Sequence, residues 1–383
     1  MTYAALTGWG KCLPPAVLTN ADLSTFLDTT DEWITTRTGM RERRISHVGA
    51  IELATVAAAR ALACAGLAPG DVDLIVFGSF TGDEQVPSNA SGVQVKLGAN
   101  RAGAMDLNSA CTSFLYGLSA AAGMIRSGAI RNAVVIGAER PSRFMDWSDR
   151  NVAVLFGDGA AAVVLEASDR HESLLGGVLG CDADARGILR VRGIGGDWLG
   201  RDITRGDTTW DFNGQEIFKR AVRAMSAASE RVLAQCGVSA EQVDLVVPHQ
   251  ANIRIIESLA KYTRIPMEKV FMTVRKYGNM SAATVAVALV EAVEEGRVRP
   301  GSLVLLPAFG GGLTWCAHLL RWGPRVEPLG STDRDLPPLE ATALELVNAL
   351  RANQDPHGRS SAGLALQVFA ETSLAPRSVT SIG

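Results

Sequence analysis

The sequence predicts an α/β protein of two similar halves, each a mixed β-sheet carrying helices, because three pairs of segments recur in the same order. "LACAGLAPGDVDLIV" (62–76) and "LAQCGVSAEQVDLVV" (233–247) align without a gap, with seven of fifteen positions identical. "SGAIRNAVVIGAE" (127–139) is echoed by "EGRVRPGSLVLLPAF" (295–309). Between these echoes, "DLNSACTSFLYGLSAA" (106–121) holds the place in the first half that "RKYGNMSAATVAVALVEAV" (275–293) holds in the second. One such pair is weak; three in the same order argue for duplication.

Each member of the first pair reads as a helix end, a glycine stop, a turn and a buried strand, with Gly66 and Gly237 as the stops. The second pair reads as a helix end feeding an apolar strand. In the third pair a polar stretch runs into an alanine-rich apolar run, which predicts a buried helix starting just after Cys111 and another near Asn279. If the halves pack about a pseudo-twofold axis, these two helix starts approach one another. The predicted divisions are 1–170, 171–323 and a C-terminal extension, 324–383. Within the extension, "LPPLEATALELVNALRAN" (336–353) places Leu339, Leu346, Val347 and Leu350 near one face of an amphipathic helix. The polar, turn-rich remainder is expected to be mobile.

Composition narrows the function. At 383 residues, 47% hydrophobic and with a net charge of −3, the chain is an ordinary globular protein. The absence of a basic tract and an aromatic content of 6% speak against nucleic acid. There is no charged-then-apolar start of a signal peptide, and no apolar run reaches the ~20 residues of a membrane span. Six scattered cysteines without a CxxC pair predict reduced thiols, no metal site and a cytoplasmic protein.

Taken alone, Cys111 fits a packed core thiol as well as a nucleophile. A helix N-terminus carries unpaired N–H groups and partial positive charge, so its place predicts a thiol pKa lowered from ~8.5 towards 7 or below. Three further segments leave strand ends: "VVPHQANIRII" (246–256), "YGNMSAAT" (277–284) and "LLPAFGGGLTW" (305–315). A satisfied histidine, a capping asparagine and a positive-φ loop would each explain one of them. Together they supply a thiol, an imidazole, a carboxamide and a glycine loop with backbone N–H groups, which is an inventory for acyl transfer.

At these residues the chain resembles β-ketoacyl-acyl carrier protein synthase III. The resemblance rests on "ACTSF", "PHQANIRII", "YGNMSAA" and "AFGGGLTW", with "DTTDEWITTRTGMRERRI" (28–45) and "LFGDGAAAVVLEAS" (155–168), and runs from about residue 3 to 322. It implies a duplicated thiolase-like fold, αβαβα, with a buried helix layer shared by the halves. It also implies a homodimer that loads an acyl group from acyl-CoA onto Cys111. Decarboxylative condensation with malonyl-acyl carrier protein follows, and no cofactor takes part.

Carried over by resemblance, His249 and Asn279 hold the malonyl thioester carbonyl as two N–H donors, and the N–H groups of Cys111 and Gly311 form the oxyanion hole. Phe156 and Phe309 surround the cysteine. Trp33 and Arg150 sandwich the coenzyme adenine, flanked by Thr29 and Arg37, while Lys219, Arg254 and Lys261 receive the carrier protein. Ser113 stands where a glycine is common. Val86 replaces a bulky aromatic that closes the acyl pocket of the partner subunit. The same residues also fit an enzyme priming a specialised polyketide or alkylquinolone-like product. A non-catalytic partner subunit would ordinarily lack the cysteine.

Overall fold

The computed structural model describes residues 2–193 and 209–354. The first sheet runs in the order Tyr3–Cys12, Gly159–Ser168, Asn132–Glu139, Leu74–Gly78, Gly103–Leu107. Its first two junctions are antiparallel and its last two parallel. The second sheet runs Leu174–Cys181, Thr314–Arg321, Leu303–Gly310, Leu245–Val246, again with two antiparallel junctions and then a parallel one. A single parallel bridge from Val246 to Val270 stands where the first sheet has its fifth strand.

The sequence repeat reappears as repeated hydrogen bonding. Gly66 and Gly237 stop their helices in the left-handed region, at φ 73° and 62°. In each case the glycine N–H and the next N–H donate back to the last turn. Seven residues after each glycine, Asp73 Oδ2 accepts from the N–H groups of Arg131 and Asn132, and Asp244 Oδ2 accepts from that of Leu303. Each aspartate thereby pins the start of the neighbouring strand, which ties the first pair of echoes to the second.

Five layers result. Ala50–Ala65 covers the outer face of the first sheet, Gly214–Cys236 covers that of the second, and Ser113–Arg126 and Ala283–Glu294 lie between the sheets. Residues 283–293 are buried without exception, as a helix sandwiched between two sheets must be, and are mostly alanine and valine. The exception in chemistry is Glu291, whose carboxylate is held by Lys276 at 2.7 Å and Lys11 at 3.4 Å. Among the described residues, no helix is long and apolar enough to cross a membrane.

The extension departs from its predicted limits. Its helix spans Ala343–Gln354 and not 336–353. Pro337 and Pro338 cannot supply helical N–H donors, and Thr342 starts the helix by exchanging hydrogen bonds with Glu345. Leu346 and Val347 are buried as the pattern required, with Leu339 and Leu350 packed beside them. The predicted mobile remainder, 355–383, lies outside the described residues.

Candidate active site

A cleft of about 1410 Å³ collects Cys111, His249, Asn279, Phe156, Phe309 and Gly311 from strand ends and helix starts of both sheets. Cys111 sits in a single 3₁₀ turn, Ala110–Thr112, directly ahead of the Ser113–Arg126 helix. Ala110 takes φ 52°, a rare conformation for a residue with a side chain. Ser113 closes this turn: its hydroxyl accepts from the Ser109 N–H at 2.9 Å and donates to the Ala110 carbonyl at 2.7 Å. Thr314 Oγ1 donates to the Ser109 carbonyl and meets Thr112 Oγ1 at 2.8 Å, which joins the turn to the second sheet. A Cβ on Gly310 would come within 2.8 Å of the Cys111 nitrogen, so the glycine is what lets the two segments touch.

The expected low thiol pKa is not found. Burial pushes the Cys111 thiol up to about 12; the Ser281 hydroxyl lowers it, but the charge of Glu139 raises it again. Desolvation outweighs the helix start, so the thiol rests protonated and its attack on a carbonyl needs a proton acceptor.

His249 lines the same cleft, and burial holds its imidazole neutral, with the pKa lowered to about 3. Its Nδ1 lies 2.6 Å from Thr284 Oγ1, whose hydroxyl donates to the Ser281 carbonyl at 2.9 Å. The Thr284 hydroxyl holds the ring through Nδ1, so Nε2 is the nitrogen left for a ligand. Asn279 is oriented by the Ser281 N–H, which donates to its Oδ1 at 2.8 Å and commits the oxygen, leaving the NH₂ for a ligand. Gln250 fixes the turn that carries His249. Its amide donates to the Pro248 and Phe271 carbonyls, and its oxygen accepts from the Thr273 and Val274 N–H groups.

Glu139 went unnoticed in the sequence. It ends the strand Asn132–Glu139, is fully buried, and accepts from Ser79, Phe80, Thr81, Ser281 and Ala282. A carboxylate closing an otherwise apolar strand was the available signal. Phe80 and Trp210 were missed too; they stack edge-on at 6.2 Å, with Trp210 4.8 Å from Phe156, and line the cleft.

Towards the mouth, the helix Asp31–Thr38 carries Trp33, with the guanidinium of Arg37 at 4.6 Å and that of Arg150 at 5.1 Å from its ring centre. A ring stacked between Trp33 and Arg150 needs about 7 Å, twice a van der Waals contact, so the pair parts to admit one. Thr29 lies beside this pair with its buried Oγ1 unpartnered. Lys219 and Arg254 line the cleft, whereas the exposed Lys261 stands two turns beyond Arg254 on the Ile253–Thr263 helix. Val86 is 90% exposed and does not line the cleft of its own chain.

Two family models match the chain, 3-oxoacyl-[acyl-carrier-protein] synthase III over residues 105–183 and its C-terminal part over residues 233–322. The chain is 52% identical to a β-ketoacyl-[acyl-carrier-protein] synthase III 2 of Vibrio cholerae, over 90% of this chain and 96% of that one. The structure of 3-oxoacyl-[acyl-carrier-protein] synthase III from Aquifex aeolicus superposes with a TM-score of 0.78 at 44% identity, covering 83% of this chain and all of the other. The priming β-ketosynthase of the R1128 polyketide pathway superposes with a TM-score of 0.80 at 34% identity, covering 84% and 97%. With the duplicated fold, the cysteine turn in the cleft and relatives this similar across nearly their whole length, the chain belongs to the β-ketoacyl-[acyl-carrier-protein] synthase III family of acyltransferases.

Proposed function

We propose that the chain condenses an acyl-CoA primer with malonyl-acyl carrier protein at Cys111, the first carbon–carbon bond of a fatty acid. The observation that carries this reading is the convergence of Cys111, His249 and Asn279 on one cleft around Ser281. In the first half-reaction the Cys111 sulfur attacks the acyl carbonyl, the oxyanion meets the N–H groups of Cys111 and Gly311, and the proton lost by the thiol ends on the departing coenzyme sulfur. The malonyl thioester then binds with its carbonyl oxygen towards the Asn279 NH₂. Loss of CO₂ puts charge on that oxygen, where the donor stabilises it. His249 serves the same oxygen in its Nε2–H tautomer, since the Thr284 hydroxyl can donate to Nδ1 as well as accept from it. The resulting carbanion attacks the acyl carbonyl and expels the Cys111 thiolate, which regains a proton from solvent. Phe156 and Phe309, both nearly fully buried, keep water from the acyl-enzyme. These steps draw on no cofactor.

Residues 1–170 and 171–323 act as the two halves, the first bringing the nucleophile and the second His249 and Asn279. Lys219, Arg254 and Lys261 offer a basic rim to the acidic carrier protein, and Thr29, Trp33, Arg37 and Arg150 receive the coenzyme. We place the enzyme in the cytoplasm, a compartment suited to its six free cysteines. The direct test is mass spectrometry of Cys111 after incubation with acyl-CoAs of graded length, followed by malonyl-acyl carrier protein. An acyl adduct that disappears with release of CO₂ supports the reading; absence of any adduct overturns it.

Trp33→Ala is expected to raise the KM for acyl-CoA and to leave acyl transfer from a short pantetheine thioester little changed, because it removes binding remote from the reacting carbonyl. Equal losses with both donors would make Trp33 structural. Chain length depends on Val86, which we place against a second copy of the chain beside the sheet-edge strand Gly103–Leu107. An isopropyl group there leaves room for extra methylenes of primer, each worth ~0.8 kcal/mol when buried. The wild type should therefore load octanoyl-CoA better than acetyl-CoA, and Val86→Phe should shift that ratio about 10-fold or more towards the short primer. A wild type that already prefers acetyl-CoA in direct competition refutes this.

A further inference from the structure

The extension beyond Trp322 takes no part in the proposed chemistry, yet it is fastened along its course. Arg325 donates to the Thr7 and Cys64 carbonyls and covers the Trp9 ring. Leu329 N–H donates to the Cys64 carbonyl, Arg60 pairs with Asp335 at 3.1 Å, and His47 Nε2 meets the Pro337 carbonyl at 2.9 Å. The chain ends this traverse with the Ala343–Gln354 helix. That helix packs on the two-stranded ribbon Ala16–Thr19 and Glu42–Ile45 and on the apolar cluster containing Leu23, Leu27 and Trp147.

From there a short relay reaches Trp33. The Arg351 guanidinium lies 4.2 Å from the Phe26 ring centre, and Phe26 meets Trp147 edge-on at 6.3 Å. Both aromatics belong to the segments that carry the coenzyme contacts. Arg150, three residues past Trp147, donates to the Asp28 carbonyl at 2.6 Å and faces Trp33. Surface loops of this kind are mobile unless something covers them, and a binding site held in its bound shape loses less entropy when the ligand arrives.

We propose that the Ala343–Gln354 helix, through Arg351, Leu346 and Val347, is a positioning element for the coenzyme clamp. It holds the Phe26–Thr29 loop and the Trp147–Arg150 turn at the spacing acyl-CoA requires. The proposal rests on the reading of Trp33 and Arg150 as adenine contacts.

The test uses the full-length protein as wild type, Arg351→Ala, Arg351→Lys and the double variant Leu346→Ser/Val347→Ser. KM is measured for an acyl-CoA and for the matching pantetheine thioester, with hydrogen exchange of residues 26–33 and 147–151. Arg351→Ala and the double variant should raise the KM for acyl-CoA about three- to tenfold. They should leave the pantetheine reaction within about twofold and speed exchange in both clamp segments, while Arg351→Lys, which keeps the cation, falls between. A helix shown by exchange to be released, with acyl-CoA KM and clamp exchange unchanged, overturns the proposal. So does an equal loss with both donors. If Trp33→Ala leaves acyl-CoA KM untouched, the adenine reading fails by itself; clamp exchange still decides whether the helix orders these segments.

Discussion

Asn279→Ala should load Cys111 at the wild-type rate and condense about 10²–10³-fold more slowly, the usual loss on removing one donor to a developing oxyanion. Cys111→Ser should abolish stable acylation. His249→Ala, like Asn279→Ala, should load Cys111 and lose condensation on a similar scale, since His249 serves the malonyl carbonyl. Loading draws on the thiolate, and burial pushes the thiol up to about 12, so loading should climb about tenfold per pH unit across the neutral range in wild type and His249→Ala alike. Single-turnover mass spectrometry of Cys111 from pH 6 to 9 measures both profiles. Native-rate condensation by Asn279→Ala would refute its role as donor. Loading that does not change with pH would refute the raised pKa of the thiol.

Glu139→Gln should destabilise the fold by about 3 kcal/mol, the scale for leaving buried polar partners mismatched. Every group around this carboxylate donates to it, from Ser79, Phe80, Thr81, Ser281 and Ala282. A protonated carboxyl has a single O–H and a second oxygen that still accepts, whereas a glutamine would set an NH₂ that accepts nothing against such donors. The loss depends on pH. Burial, opposed by the Thr81, Ser281 and Ser79 hydroxyls, raises Glu139 from 4.5 to about 7. The folded state therefore keeps a proton the unfolded chain has lost, and the stability this group lends is fully present below about 4.5 and fades as pH rises through about 7. The permanently neutral glutamine has no such dependence, so the gap between wild type and variant should be wide at pH 5 and narrower at pH 8. Urea unfolding at both values measures it. A gap that widens with pH, or no loss at either, would show that Glu139 is ionised in the fold or carries no such burden.

Elements governed by short-range chemistry were legible in the sequence. Gly66 and Gly237 mark helix stops because only a residue free to take positive φ ends a helix that way, and the Val-Asp-Leu run after each names the strand. Cys111, His249, Asn279 and Gly311 announce themselves as polar or small residues where apolar strands end, and the fold brings them to one cleft. What the sequence hid depends on partners far along the chain. The acidity of Cys111 is decided by desolvation in the cleft and by Ser281 and Glu139, the latter 28 positions away in sequence. The orientation of the His249 ring is fixed by Thr284, 35 residues on. The start of the last helix was an exception of another kind, for Thr342 and Glu345 were in plain sight as a capping pair and the apolar spacing drew the boundary past them.

The seat of the Ala343–Gln354 helix has a consequence for the order of events during synthesis. A chain made from its N-terminus outwards exposes Leu23, Leu27 and Trp147 early, and every later strand can form before their cover exists. Both sheets and the cysteine turn use only residues up to 321, so the chemical machinery is complete while this apolar patch is still bare. The last described helix to leave the ribosome is the one that closes it. A chain arrested before residue 343 would therefore lack this cover, and the patch would stay open to water until Ala343–Gln354 is made.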